Sequence, residues 1–150
     1  MAVGATTKTR YDTDFVEWAA ETAKLLRAGR FGEVDVEHAA EEIEDLGKSE
    51  RSAVAHQLQR MLLHLLKQRI QAERAGSSWR RSIGDSRSQI QYKVDDSPSL
   101  KPHLQKILPT AYRRALRQAA YEMKLPHSRV AELPPECPWT LEQLLEGEPE

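Results

Sequence analysis

An all-α fold is predicted by three observations. Apolar residues recur at intervals of three and four along most of the chain, glycine and proline fall between those periodic stretches, and no alternating strand pattern persists. The expected form is an irregular antiparallel bundle of four main helices plus a short C-terminal helix. Residues 1–10 are expected as a flexible N-terminal segment and 11–150 as a single helical domain.

The first helix is read from Phe15, Trp18, Ala19, Thr22, Leu25 and Leu26, whose spacing sets them on one face. Asp12 is its expected cap and Gly29 its expected stop. After a short connection over 30–34, Asp35 accepts from the amides of a second helix that carries Glu37 in its first turn. That helix is expected from Val36 to about Ala75, with Ala39, Ile43, Leu46, Val54, Leu58, Met61, Leu62 and Leu65 as its inward stripe. Gly47 costs ~1 kcal/mol relative to alanine and is where the helix could bend or split.

Ala75, Gly76, Ser77 and Ser78 give the clearest loop signal, with a serine to cap the third helix. Trp79, Ile83, Arg87, Ile90 and Val94 form that helix's face. The fourth helix opens at Ser97-Pro98, since proline is tolerated in a first turn, and buries Leu104, Ile107, Leu108, Ala111, Tyr112, Ala115, Leu116, Ala119 and Met123. Pro109 inside this pattern removes one hydrogen bond, crowds the carbonyl of Gln105 and predicts a kink. Leu125-Pro126 ends the helix, and proline-rich coil follows to Pro138. Thr140 to Gln143 then reads as a capping box, with Trp139 and Leu144 spaced as a hydrophobic staple.

Formal net charge is −1, so attraction to nucleic acid or an acidic membrane must come from a local patch. One cysteine, Cys137, cannot form an internal disulfide and suits a reducing, cytoplasmic setting. The first ten residues hold no apolar run of signal-peptide length, and no stretch approaches the ~20 apolar residues of a membrane span. Serine-elbow, zinc-ligand and glycine-rich phosphate-loop spacings do not occur.

Charge is divided along the chain. Eight acidic residues lie from Glu33 to Glu50 with only Lys48 among them, whereas Lys67 to Arg87 holds six bases against Glu73 and Asp85. Glu42 and Asp45 are one turn apart, with Glu41 beside them and His38 four residues before Glu42; carboxylates so spaced can hold Mg2+ or Mn2+. Glu50, Gln57 and His64 recur every seven residues along the apolar stripe and are expected as an inward polar ladder closed by hydrogen bonds, an arginine or a metal. Asp35 and His38 have a three-residue acid-to-histidine spacing as well. A turn at Gly76 would bring Arg69, Arg74, Arg80 and Arg81 to one tip around Trp79, a set suited to phosphate or to a stacked base.

One set of residues is distinctive in order and spacing: Tyr11, Asp14-Phe15 with Trp18, the run Glu41 to Gly47 followed by Ser49-Glu50, and His64 to Lys67. It continues with Glu73-Arg74, Ser78 to Arg80, Ser97 to Leu100, Cys137-Pro138 and Thr140 to Leu145. On these residues the stretch from Tyr11 to Leu145 resembles an uncharacterised bacterial all-helical family, domain of unknown function 29. The resemblance implies a helical bacterial domain and no activity. The functional expectation is an interaction or regulatory module that binds a protein partner or a second copy of itself. Its alternatives are a divalent-metal-dependent hydrolase of phosphorylated small molecules such as nucleotides, with Glu41, Glu42, Asp45, Glu50 and His64 as metal-site residues, or a weak nucleic-acid binder.

Overall fold

A computed structural model describes residues 10–72 and 76–147, and among them every regular element is helical. The longer elements are α1 (Phe15–Arg27), α2 (Val36–Ile70), α3 (Ser77–Asp96) and α4 (Leu100–Glu122); the shorter are α5 (His127–Val130) and α6 (Leu141–Glu146). Apart from Arg10, the N-terminal segment expected to be flexible lies outside the described residues. The chain divides into two compact units, Met1–Ser49 and Glu50–Glu150.

In the first unit α1 is capped by Asp14, not Asp12: Asp14 Oδ1 accepts from the Glu17 amide at 3.1 Å. Both aspartates precede the apolar stripe, and only the bond itself distinguishes them. At the other end Gly29 has φ +73, and the amides of Arg30 and Gly29 return to the carbonyls of Leu25 and Leu26. That pair of bonds is a Schellman closure, which a left-handed glycine permits at no steric cost. Trp18, Thr22 and Leu25 are buried, whereas Phe15 and Leu26 at the stripe's margins stay open to solvent.

Helix α2 runs unbroken from Val36 to Ile70, so Gly47 neither splits it nor ends it, and it stops short of Ala75. Its inward stripe begins only at Val54. Ile43 and Leu46, expected inside, are 66% and 69% exposed. Period identifies a face; it does not supply the element that covers it.

The core of the second unit is built from Val54, Leu58, Met61, Leu62, Leu65 and Leu66 of α2, Ile83 and Ile90 of α3, and Leu104, Leu108, Tyr112 and Ala115 of α4. Trp139, Leu141 and Leu144 close it from the C-terminal side. Each fully buried leucine contributes about 1.5–3 kcal/mol relative to an exposed one, which makes this shared core the main support of the unit. Helix α3 starts at Ser77 with Gly76 as cap and no side-chain cap bond, contrary to the expected serine cap. Helix α4 continues through Pro109.

The capping box is present with both bonds: Thr140 Oγ1 accepts from the Gln143 amide at 3.1 Å, and Gln143 Oε1 accepts from the Thr140 amide at 2.8 Å. Arg87 and Gln91, one turn apart on α3, donate to the carbonyls of Leu144 and Leu145 and so satisfy the end of α6. Tyr112 is fully buried and donates to the Pro134 carbonyl at 2.6 Å, tying the proline-rich coil to α4.

Candidate functional site

The densest polar and aromatic grouping in the first unit is centred on Tyr11. Its hydroxyl donates to Glu42 Oε1 at 2.7 Å, and its ring stacks on His38 with centroids 3.8 Å apart. Trp18 meets the same ring edge-on at 4.8 Å. His38 Nδ1 lies 2.6 Å from Asp35 Oδ2, while Asp35 Oδ1 accepts from the His38 amide at 3.3 Å. One carboxylate thereby opens α2 and orients the imidazole.

Electrostatics follow from these contacts. The bond to Glu42 pushes the Tyr11 phenol up to about 12, with burial and the charges of Glu42, Glu41 and Asp45 acting in the same direction. The bond to Asp35 raises His38 against the opposing effect of burial, and the charges of Asp35, Glu41 and Asp12 add to it. Tyr11 is therefore a fixed donor at neutral pH, and His38 is biased towards imidazolium. Glu42 is committed to Tyr11, whereas Glu41 and Asp45 face solvent. Among the described residues, no three His, Cys, Asp or Glu side chains converge as a group able to hold a metal ion.

Several large apolar side chains of this unit are exposed. Phe31 is 64% exposed, and Phe15, Val16, Leu26, Val36, Ile43 and Leu46 are also open. On α2, Val36, Ile43 and Leu46 fall on one stripe, with Glu42 beside it and Glu37, Glu41, Glu44 and Asp45 farther round the same helix. From Ile43 to Ser52 every residue is exposed.

In the second unit the ladder expected from Glu50, Gln57 and His64 is corrected at its first rung. Glu50 is exposed and pairs with Lys93 at 2.9 Å, because its stretch of the stripe has no core to face. Gln57 and His64 are half-buried, and Gln57 Oε1 and His64 Nδ1 are shielded without a hydrogen-bond partner. Burial lowers the His64 pKa, and the charges of Lys67 and Arg60 lower it further. Lys67 itself pairs with Glu122 at 2.5 Å, and Gln118 donates to the same carboxylate at 3.0 Å. Fourteen residues of helix, about 21 Å of rise, separate Glu50 from His64, too far for one ion to bridge.

Of the arginine set, Arg69, Arg80 and Arg81 are exposed, Trp79 is half-buried, and Arg74 lies outside the described residues. Arg69 borders a cavity of about 200 Å³ with Arg129 and Glu132, and the latter two pair at 3.3 Å. The start of α3 has Gly76 as its cap, so the serine cap expected beside the anion-binding amides is not made. Sequence reasoning undervalued Tyr11, His38 and Asp35. The signal was the Asp35–His38 spacing; the missing knowledge was that Tyr11 folds onto it.

Compared with known proteins, residues 10–148 match the family model described as Domain of unknown function DUF29. No curated protein and no solved structure matches the chain.

Proposed function

The chain belongs to the DUF29 family, whose description names no activity, and we propose from its own surface that it is a protein-interaction module whose Met1–Ser49 unit receives a basic, amphipathic partner segment. The observation that carries this reading is the exposed stripe of Val36, Ile43 and Leu46 on a stretch of helix that is rich in carboxylates. Leaving large side chains in water forgoes the transfer free energy their burial would yield, and a segment dominated by one charge sign favours the opposite sign in whatever covers them. The Tyr11, His38 and Asp35 contacts fix the first turns of α2 and hold that stripe in a set orientation.

We place this module in a bacterial cytoplasm, the setting suited to a single free thiol. No helix among the described residues is long and apolar enough to cross a membrane.

Titration with a synthetic amphipathic helix of leucine and lysine, and with a leucine and glutamate counterpart, tests the reading. The basic peptide is expected to bind, to weaken as salt screens the carboxylates, and to lose binding in Ile43→Lys and Leu46→Lys. Equal binding of the two peptides, or retention by both variants, removes the proposal. Self-association abolished by the same substitutions would assign the face to a second copy instead.

A further inference from the structure

A cavity of about 360 Å³ lies between the middle of α4 and the coil that leads into α6, wholly within the Glu50–Glu150 unit. Its volume falls at the lower end of small-molecule sites, which run from roughly 300 to 1,000 Å³. Leu108, Pro109 and Trp139 supply apolar wall. Gln105, Arg113 and Glu136 supply the polar groups.

Two features of those polar groups point to one kind of ligand. Pro109 has no amide proton, so the Gln105 carbonyl lacks the helical donor four residues on and keeps accepting capacity, and both residues line the cavity. Arg113 and Glu136 are opposite charges on the same cavity, yet neither forms an ion pair among the described residues. A guanidinium and a carboxylate that line one small space without closing on each other match a molecule that carries both charges itself.

We propose that this cavity binds a zwitterionic small molecule with an apolar side chain, the class of a free aliphatic or aromatic α-amino acid. Its carboxylate pairs with Arg113, and its ammonium group donates to Glu136 and to the Gln105 carbonyl. The side chain covers Leu108, Pro109 and Trp139. The wall is held in place before binding, since the Tyr112 hydroxyl and the Cys137 thiol each donate to a carbonyl of the coil, those of Pro134 and Trp139. Such preorganisation reduces the ordering cost of binding.

Cys137 lines the cavity and is the chain's only cysteine, which makes its alkylation a local reporter. Leucine and phenylalanine are expected to bind saturably by calorimetry and to slow that alkylation. Phenethylamine and 3-phenylpropionate, each with one charge, are expected to bind roughly tenfold or more weakly, as are leucine and phenylalanine to Arg113→Gln and Glu136→Gln. Both substituted side chains are exposed, and unchanged melting of the variants separates lost binding from lost fold. Pro109→Ala supplies the missing amide and is expected to weaken binding while leaving the helix at least as stable. Absence of saturable binding by either amino acid overturns the proposal, as does equal affinity for the singly charged analogues or undiminished binding in Arg113→Gln.

Discussion

Tyr11 and Glu42, 31 positions apart, are joined by a 2.7 Å hydrogen bond from phenol to carboxylate. The bond ties the turn before α1 to the first turns of α2, and the carboxylate makes the phenol a poor acid, with its pKa at about 12. Glu42→Gln is expected to return the Tyr11 titration most of the way to the ordinary value of 10.0. NMR of ring-labelled tyrosine reads it directly. An unchanged midpoint in the variant would mean that the hydrogen bond is not made in solution.

His38 and His64 impose opposite pH dependences. His38 is raised, chiefly by Asp35, so its contribution is fully present below an unfolded value of about 6.5 and is lost as pH rises through the folded value. His64 is lowered by burial and by Lys67 and Arg60, partly offset by Glu122; its contribution is present above about 6.5 and lost as pH falls through the folded value. Glu122, lowered first by Lys67 and then by Gln118, adds a further acid-side loss at lower pH. Residue-level amide exchange between about pH 5 and 8 should show the Met1–Ser49 unit weakening towards alkali and the Glu50–Glu150 unit towards acid. His38→Gln and His64→Gln should each flatten one trend alone. A common direction for both units would contradict the assignment.

The end of α6 depends on a side chain from α3. Arg87 Nε donates to the Leu144 carbonyl at 2.8 Å, a charge-assisted bond to a carbonyl in the last turn of α6. Arg87→Ala is expected to cost about 1.5–3 kcal/mol, and Leu144→Ala, which empties a fully buried position, about 2–5 kcal/mol. Urea unfolding at neutral pH measures both. A loss below ~0.5 kcal/mol for Arg87→Ala would place it among ordinary surface changes.

The parts of this molecule that were legible in its sequence are those set by short-range chemistry. Thr140 and Gln143 form the expected capping box, Gly29 stops α1, and Leu58, Met61, Leu62 and Leu65 are buried as their period requires. Glu50 shows why the rest was not legible. Its helical phase gives direction only, and what meets Glu50 at that height of α2 is the Lys93 ammonium of α3, not an apolar face. Ile43 and Leu46 show the same limit: their phase is that of a buried face, yet both are exposed, and the proposed function rests on that surface. Long-range contacts such as Tyr11 with His38, or Arg87 with Leu144, join residues whose proximity no local pattern encodes.

Gly47 sits in the part of α2 where propensity has the least competition. Ile43 to Ser52 is exposed throughout, so the helix is held there mainly by its own hydrogen bonds, and a glycine in the middle weakens it. A Cβ built at Gly47 meets nothing within 4 Å, and the position has ordinary helical geometry. Gly47→Ala is therefore expected to raise the local opening free energy by ~1 kcal/mol and to slow amide exchange across the segment about fivefold. Gly29→Ala, where the added Cβ also meets nothing but φ is +73, should instead destabilise α1 by about 1–2 kcal/mol. Exchange measured on the two variants separates backbone conformation from packing, since neither new methyl group touches anything. Slower exchange in both, or faster in both, would show that some feature other than backbone preference governs these two positions.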